Sequence, residues 1–441
     1  MSKQQTLFIG FMTFALFLGA GNIIFPPMLG HGAGEAFLPA LSGFLLTSVG
    51  MPALTLIAIA WIGGSDALTH KLPRWVHLLF WSVLFLTIGP FFNMPRTFTV
   101  AYEFTGRPFF GDEGLLVATL IFAALTLYFA LSPQKLMGRI GKLLTPTILL
   151  LIVFILISVM NNRHGIPEGM ADKYQGFAFA AGLSDGYMTM DVLGAIGFGW
   201  LIINVLNQHR CSDASLSREM AKVVIVYGAV MCSVYIAMAW IGAHFAHEVS
   251  NGGELLSRYM SFIYGDIGMM CLGVIMALAC LTTAVGLTCA SASFFNDNFL
   301  AKAQSPTTNY KLLAIAIVSL STLIANVGLE TLITVTLPLV VMLHPVTITV
   351  VALAVYFQKR SMNFQVWGVT LSVAILGGAI DALKILDKMP QALSQYFTDY
   401  LPLYNYNASW IVPCVLSFML VTLLTRQGGS AISSPSSLAE R

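Results

Sequence analysis

Gly19-Ala20-Gly21-Asn22-Ile23-Ile24-Phe25-Pro26-Pro27 interrupts an apolar run, Leu7 to Leu29, otherwise long enough to cross a bilayer. Two glycines, an asparagine and two prolines form helix poorly. In lipid, broken backbone survives only where protein or a wet cavity covers it. The break therefore marks either a close helix crossing or a place where freed N–H and C=O groups hold a ligand.

The rest of the chain has membrane character. Of its 441 residues 57% are hydrophobic and 10% charged, with a mean hydropathy of +0.80, against about a quarter charged in soluble domains. Only Lys3 precedes the first apolar run, that run is too long for a leader's apolar core, and Pro26-Pro27 stand where a cleavage site would lie, all unlike a cleavable leader. The cysteines at 211, 232, 271, 280, 289 and 414 form no C-x-x-C and read as buried free thiols.

Hydropathy predicts an all-α polytopic protein with twelve spans, near 7–30, 39–62, 76–102, 113–131, 140–160, 178–207, 222–246, 266–295, 311–327, 330–357, 364–383 and 402–425. The longest connection lies near Asn161–Tyr174, and the tail, 426–441, reads as disordered. With twelve spans, seven of the 22 lysines and arginines (Arg96, Arg107, Arg163, Lys173, Arg258, Lys384, Lys388) face one side and fifteen the side of the termini. That asymmetry predicts cytoplasmic termini.

Leu193-Gly194-Ala195-Ile196-Gly197-Phe198-Gly199 in span 6 is the other glycine-dense stretch within a span. Span 6 lies five spans after span 1, an odd number of steps, so the two run in opposite directions. An inverted repeat of five plus five spans requires this, and paired broken helices point to a ligand site between the repeats. The expected division is 1–161 and 162–358 for the repeats, with spans 11 and 12 appended over 359–425.

Half-helices meeting at midplane offer free amides to an anion and free carbonyls to a cation, so a zwitterion suits both. Expected amide donors are Ala20, Gly21 and Asn22; expected carbonyls are those of Val192, Leu193 and Ala195. Phe198, with residues near Gly89-Pro90, is either the wall of an apolar pocket or ordinary packing. Span 8 holds small and hydroxylated residues from Ala279 through Thr282 and Thr283 to Ser293. Their neutral oxygens suit a small hard cation, and equally a tight helix contact.

Asp191, beside the span-6 glycines, is the strongest intramembrane charge, with Arg96 a partner or gate residue and His344 a packing residue able to titrate. Nothing resembles a catalytic motif: His247-Glu248 lacks a second histidine, and Gly197-Phe198-Gly199 follows no strand. Without a nucleotide-binding motif, a secondary carrier is the economical reading, with no cofactor and no obligatory protein partner.

Gly10–Phe17 running into the Gly19–Pro27 stretch closely resembles the bacterial branched-chain amino acid:cation symporters, the BrnQ-type carriers. So do Gly89-Pro90 with Pro95-Arg96-Thr97, Gly186–Asp191 with Leu193-Gly194-Ala195, and Thr283–Cys289. The resemblance runs from span 1 to span 8; spans 9 to 12 match in length and pattern. It implies sodium- or proton-coupled uptake of leucine, isoleucine and valine across a bacterial inner membrane, on a leucine-transporter-like fold.

In that fold Gly19, Gly21 and Asn22 match the break of helix 1, and Gly197, Phe198 and Gly199 a motif of helix 6. The resemblance implies a sodium site on the carbonyls of Ala15, Leu18 and Ala279 and the hydroxyls of Thr282 and Thr283. Phe25 stands where two-ion relatives carry a gate arginine, and Leu193 where they carry an ion-binding threonine. The alternatives are a proton-coupled carrier of another neutral amino acid and a transporter-like receptor.

Overall fold

The computed structural model describes residues 1–111, 113–131, 157, 169–209, 215–245, 249–300 and 306–430. Span 5 apart from residue 157, together with Asp112, Cys211, His247, Glu248 and the tail beyond 430, lies outside the described residues. Every element described is helical.

The helices are α1 (Lys3–Phe17), α2 (Ala20–Ala33), α3 (Phe37–Leu45), α4 (Met51–Ile62), α5 (Arg74–Leu86), α6 (Asn93–Thr105), α7 (Arg107–Phe110) and α8 (Leu115–Ala130). They continue with α9 (Ala178–Tyr187), α10 (Asp191–His209), α11 (Leu216–His244), α12 (Gly252–Phe299) and α13 (Pro306–Ala325). Last come α14 (Leu329–Tyr356), α15 (Phe364–Ile385), α16 (Gln391–Tyr400) and α17 (Ile411–Ser430). Eleven of the twelve expected spans thus have helical counterparts among the described residues.

Two boundaries differ from expectation. Span 12 begins at Ile411 because Leu403 and Asn407 adopt left-handed backbone around a short 3-10 turn. It also continues to Ser430, so the polar tail starts later than Arg426.

Chain contacts divide the protein into two units, Met1–Val340 and Val341–Arg441, the division falling inside α14. In the second unit Gly377 of α15 is pressed against Trp410, and Ala374, Trp410 and Cys414 form a small core. The Ser409 amide donates to the buried Asp381 carboxylate at 3.1 Å, tying the start of α17 to α15.

Glycine pairs set the packing of the first unit. A Cβ placed on Gly30 of α2 would lie 1.8 Å from the Ala239 carbonyl oxygen of α11, and one on Gly242 of α11 would lie 1.9 Å from that of Pro27. The same reciprocal contact joins α3 to α9: Gly43 faces the Phe179 oxygen at 2.0 Å and Gly182 the Ala40 oxygen at 1.9 Å. Apolar burial does not drive helices together in lipid, so close backbone approach over small residues does. Thus α2, from span 1, locks onto span 7, while α9, from span 6, locks onto span 2. This exchange is the structural signature of the inverted repeat.

Candidate functional site

Span 1 breaks at Leu18–Gly19, where Gly19 is extended with φ −116° and ψ −166°. The Leu18 amide still bonds the Phe14 carbonyl, so the last carbonyls of α1 lack helical donors. Beyond the break the helix restarts at Ala20, and Asn22 folds its side-chain oxygen back onto the Gly19 amide at 3.1 Å. The amides of Ala20, Gly21 and Asn22 open the new helix, as the sequence predicts. Pro26 and Pro27 do not break it; they sit inside α2 and leave the Asn22 and Ile23 carbonyls without amides four residues on.

Span 6 breaks earlier than expected. Its glycine-dense stretch lies inside the continuous α10, and the break is Met188-Thr189-Met190, with Met190 left-handed at φ 63°. The glycines serve close packing instead: a Cβ on Gly197 would lie 2.5 Å from the Ile88 side chain, and one on Gly199 2.8 Å from the Ser65 hydroxyl. This reverses the polarity assigned to Val192 and Leu193. They stand in the first turn of α10, where amides are free and carbonyls bond within the helix; Ala195 is also inside it. The threonine at the break is Thr189, whose hydroxyl caps the Gly186 carbonyl at 2.8 Å, rather than a residue at the position of Leu193.

The two breaks meet through polar side chains. Asn22 donates its amide to Asp191 Oδ2 at 2.7 Å and is hydrogen-bonded to the Tyr235 hydroxyl, which donates to the same carboxylate oxygen at 2.9 Å. Asp191 opens α10, where the helix dipole favours a carboxylate. Across from it, Arg96 of α6 donates through Nη1 to the Met188 carbonyl at 3.0 Å and through Nη2 to Asn93 Oδ1 at 3.3 Å. Its guanidinium lies over the Phe25 ring, 5.8 Å from the centroid. Arg96 therefore reaches the place where the resemblance would put a gate arginine. Asn22, Arg96 and Asp191 are 2%, 3% and 5% exposed.

The expected cation ligands also converge. Thr282 Oγ1 donates to the carbonyls of Ala15 at 2.7 Å and Ala279 at 2.8 Å. Thr283 Oγ1 reaches the Leu16 carbonyl at 3.0 Å and that of Leu18 at 3.3 Å. All five expected residues, with Leu16 besides, therefore contribute neutral oxygens to one buried cluster where α12 crosses the end of α1. Gly19 touches it too, since a Cβ there would lie 3.1 Å from Thr283 Oγ1.

Phe198 is buried edge-on to Phe17, with ring centroids 5.6 Å apart, and closes over Gly286 of α12. Tyr227 also packs on Phe17, with ring centroids 4.9 Å apart. The apolar wall therefore comes from α1, α10, α11 and α12, whereas Gly89 of span 3 lies against Ser291. Gly197 instead lines a separate cavity of about 90 Å³ with Ile196, Trp81, Trp200 and Asp297.

Comparison with known proteins places this geometry. The profile of the branched-chain amino acid transport protein family matches residues 2–427. The chain belongs to that family. It is 36% identical to the branched-chain amino acid transport system 2 carrier protein of Pseudomonas aeruginosa, covering 95% of this chain and 96% of that one. It is 33% identical to the branched-chain amino acid permease BrnQ of Bacillus subtilis, over 94% and 95%, and 32% identical to BrnQ of Escherichia coli K12, over 98% of each.

Among solved structures it is similar to MhsT in complex with L-phenylalanine (TM-score 0.52, 15% identity, 96% and 98% covered) and to inward-facing Mhp1 (0.56, 11%, 96% and 91%). The family members are thus multi-pass membrane transporters, not enzymes, and the chain has the leucine-transporter fold.

The sequence reading missed Tyr235, Met188, Thr189 and Asn93. Tyr235 carries the clearest signal, a hydroxyl-bearing residue deep in the apolar run of span 7.

Proposed function

We propose that the protein is a secondary active symporter that takes up leucine, isoleucine and valine with sodium by alternating access. It would lie in a bacterial inner membrane with cytoplasmic termini. The carrying observation is the convergence of the two broken helices with the threonine–carbonyl cluster: a substrate site and a cation site share α1. Family membership and the names of the permease relatives support the substrate class.

The substrate would lie between the breaks, its carboxylate toward the first amides of α2 and its aliphatic chain against Phe17, Phe198 and Tyr227. The ion would be held by the carbonyls of Ala15, Leu18 and Ala279 and the hydroxyls of Thr282 and Thr283. Each hydroxyl would turn its hydrogen away and present lone pairs, as a hard cation requires. Since that ion bridges α1 and α12, it favours whichever conformation keeps the two in contact, and only such differential affinity couples a gradient to movement.

Radiolabelled leucine uptake into proteoliposomes, under separate sodium and proton gradients, tests the proposal. Concentrative uptake with sodium alone is expected; uptake with a proton gradient alone would reject sodium coupling, and binding without uptake would reject transport. Unlabelled isoleucine and valine should compete, and lysine and glutamate should not. Thr283→Val is expected to raise the sodium concentration for half-maximal uptake about tenfold or more, near 1.4 kcal/mol. Thr282→Val should act in the same direction. Unchanged sodium activation in both would remove the assignment.

A further inference from the structure

We infer that Arg96 and Asp191 form a divided charge pair that the amino acid itself closes, Arg96 binding its α-carboxylate and Asp191 its α-ammonium group. This rests on the substrate reading above and replaces backbone dipoles alone with two charged side chains.

Both groups are buried and neither is ion-paired: among the described residues no carboxylate lies within ion-pair distance of Arg96 and no cation within that distance of Asp191, so each feels the other's charge only across the gap between the breaks. The partners of Arg96 are a carbonyl, a side-chain amide oxygen and a phenylalanine ring, and its Nε has no hydrogen-bond partner. Asp191 is held by the neutral side chains of Asn22, Tyr235 and Thr189. A guanidinium and a carboxylate kept in the interior with neutral partners are each costly. A ligand carrying both complementary charges removes both costs at once.

The placement suits an α-amino acid, whose two charges sit on neighbouring atoms of one carbon. A Cβ on Gly21 would lie 2.7 Å from Arg96 Nη2, so the guanidinium rests on the backbone of the α2 opening. Asn22, the next residue, holds Asp191. On the other break Arg96 holds Met188, three residues before Asp191. The two charges thus bracket the same pair of short segments, Gly21–Asn22 and Met188–Asp191. The planar fork of arginine also matches a carboxylate. Asn22 and Tyr235 become positioning residues that aim the carboxylate, while Phe17 and Phe198 face the aliphatic end.

Binding of three ligands to the purified protein tests this: leucine, 4-methylpentanoate (leucine without its ammonium group) and 3-methylbutylamine (leucine without its carboxylate), at limiting and saturating sodium. Asp191→Asn is expected to weaken leucine about 100-fold and leave 4-methylpentanoate within threefold of the parent protein. Arg96→Gln is expected to weaken leucine about 100-fold and leave the amine within threefold. Charge-keeping Asp191→Glu and Arg96→Lys should each recover at least tenfold of the loss.

Such reciprocal selectivity would not follow from damaged packing, which lowers all three affinities together. Equal losses for all three ligands, leucine affinity within threefold of the parent in either variant, or a loss in Asp191→Asn that saturating sodium restores would each overturn the inference. Should Arg96→Gln not yield folded protein, the neutral, similarly long Arg96→Met decides: weaker leucine with an unchanged amine supports it, and unchanged leucine overturns it. Parent protein that binds none of leucine, isoleucine and valine would overturn the proposed substrate class and this inference together. A parent that binds leucine beside indifferent variants overturns the inference alone.

Discussion

Gly21→Leu is expected to lower leucine uptake at least 100-fold in protein that still reaches the membrane and purifies as a single species. A β-carbon at this position would stand 2.7 Å from Arg96 Nη2 and 3.1 Å from both the Met188 oxygen and the Thr189 Cα. The guanidinium is the free end of a long side chain and can yield, while the Met188–Thr189 backbone must give by a few tenths of an ångström. What does not survive is the close contact between the two breaks. A leucine side chain would fill the place proposed for the substrate head group and push Arg96 off the Met188 carbonyl. A 100-fold loss corresponds to about 2.7 kcal/mol. Uptake and size-exclusion profiles of the variant, measured side by side, check the prediction. Uptake within tenfold of the parent would move the substrate away from the opening of α2.

The largest effect on stability is expected from Gly30→Ala. Its methyl group would overlap the Ala239 carbonyl, 1.8 Å away, and that carbonyl belongs to helix backbone that cannot swing aside. Real β-carbons do not approach closer than 3.0 Å, so α2 and α11 would have to part along the seam that also includes Gly242. The loss should exceed roughly 4 kcal/mol, at the extreme end for a single substitution, and show as little or no folded protein. Gly182→Ala, at the equivalent seam between α3 and α9, should behave alike. Gly228→Ala in α11 is the control: its nearest neighbour is Val49 Cγ1 at 3.6 Å, an ordinary contact, and its melting temperature should stay close to the parent's.

The features legible in the sequence are those with a local chemical cause. Apolar length marks the spans, and the span-1 break follows from Gly19 with Asn22, whose side chain replaces a backbone partner. The hydroxyls of Thr282 and Thr283 were already suggestive, although packing against α1 and ion binding use the same small residues. The span-6 break was hidden because its cause is tertiary. Met188, Thr189 and Met190 contain no helix breaker, and Met190 carries a left-handed conformation costing on the order of 1 kcal/mol. Arg96 on the Met188 carbonyl, with Asn22 and Tyr235 on Asp191, holds the segment open. The glycines that drew attention to residues 194–199 answer a different need, the close approach of Ile88 and Ser65 to α10. Glycine content signals both demands alike, and only neighbours distant in sequence separate them.

The exchanged glycine seams have a consequence for the integrity of the polypeptide. Each repeat hands one arm to the other, as in a handshake: α2 is gripped by α11, and α9 by α3. Neither repeat synthesised alone would find a surface for its own arm, so each should be unstable in isolation. Supplied together as separate chains, the two should clasp and rebuild the same core. The covalent join between the repeats then keeps the partners at equal number and close range, while the clasp itself specifies how they fit.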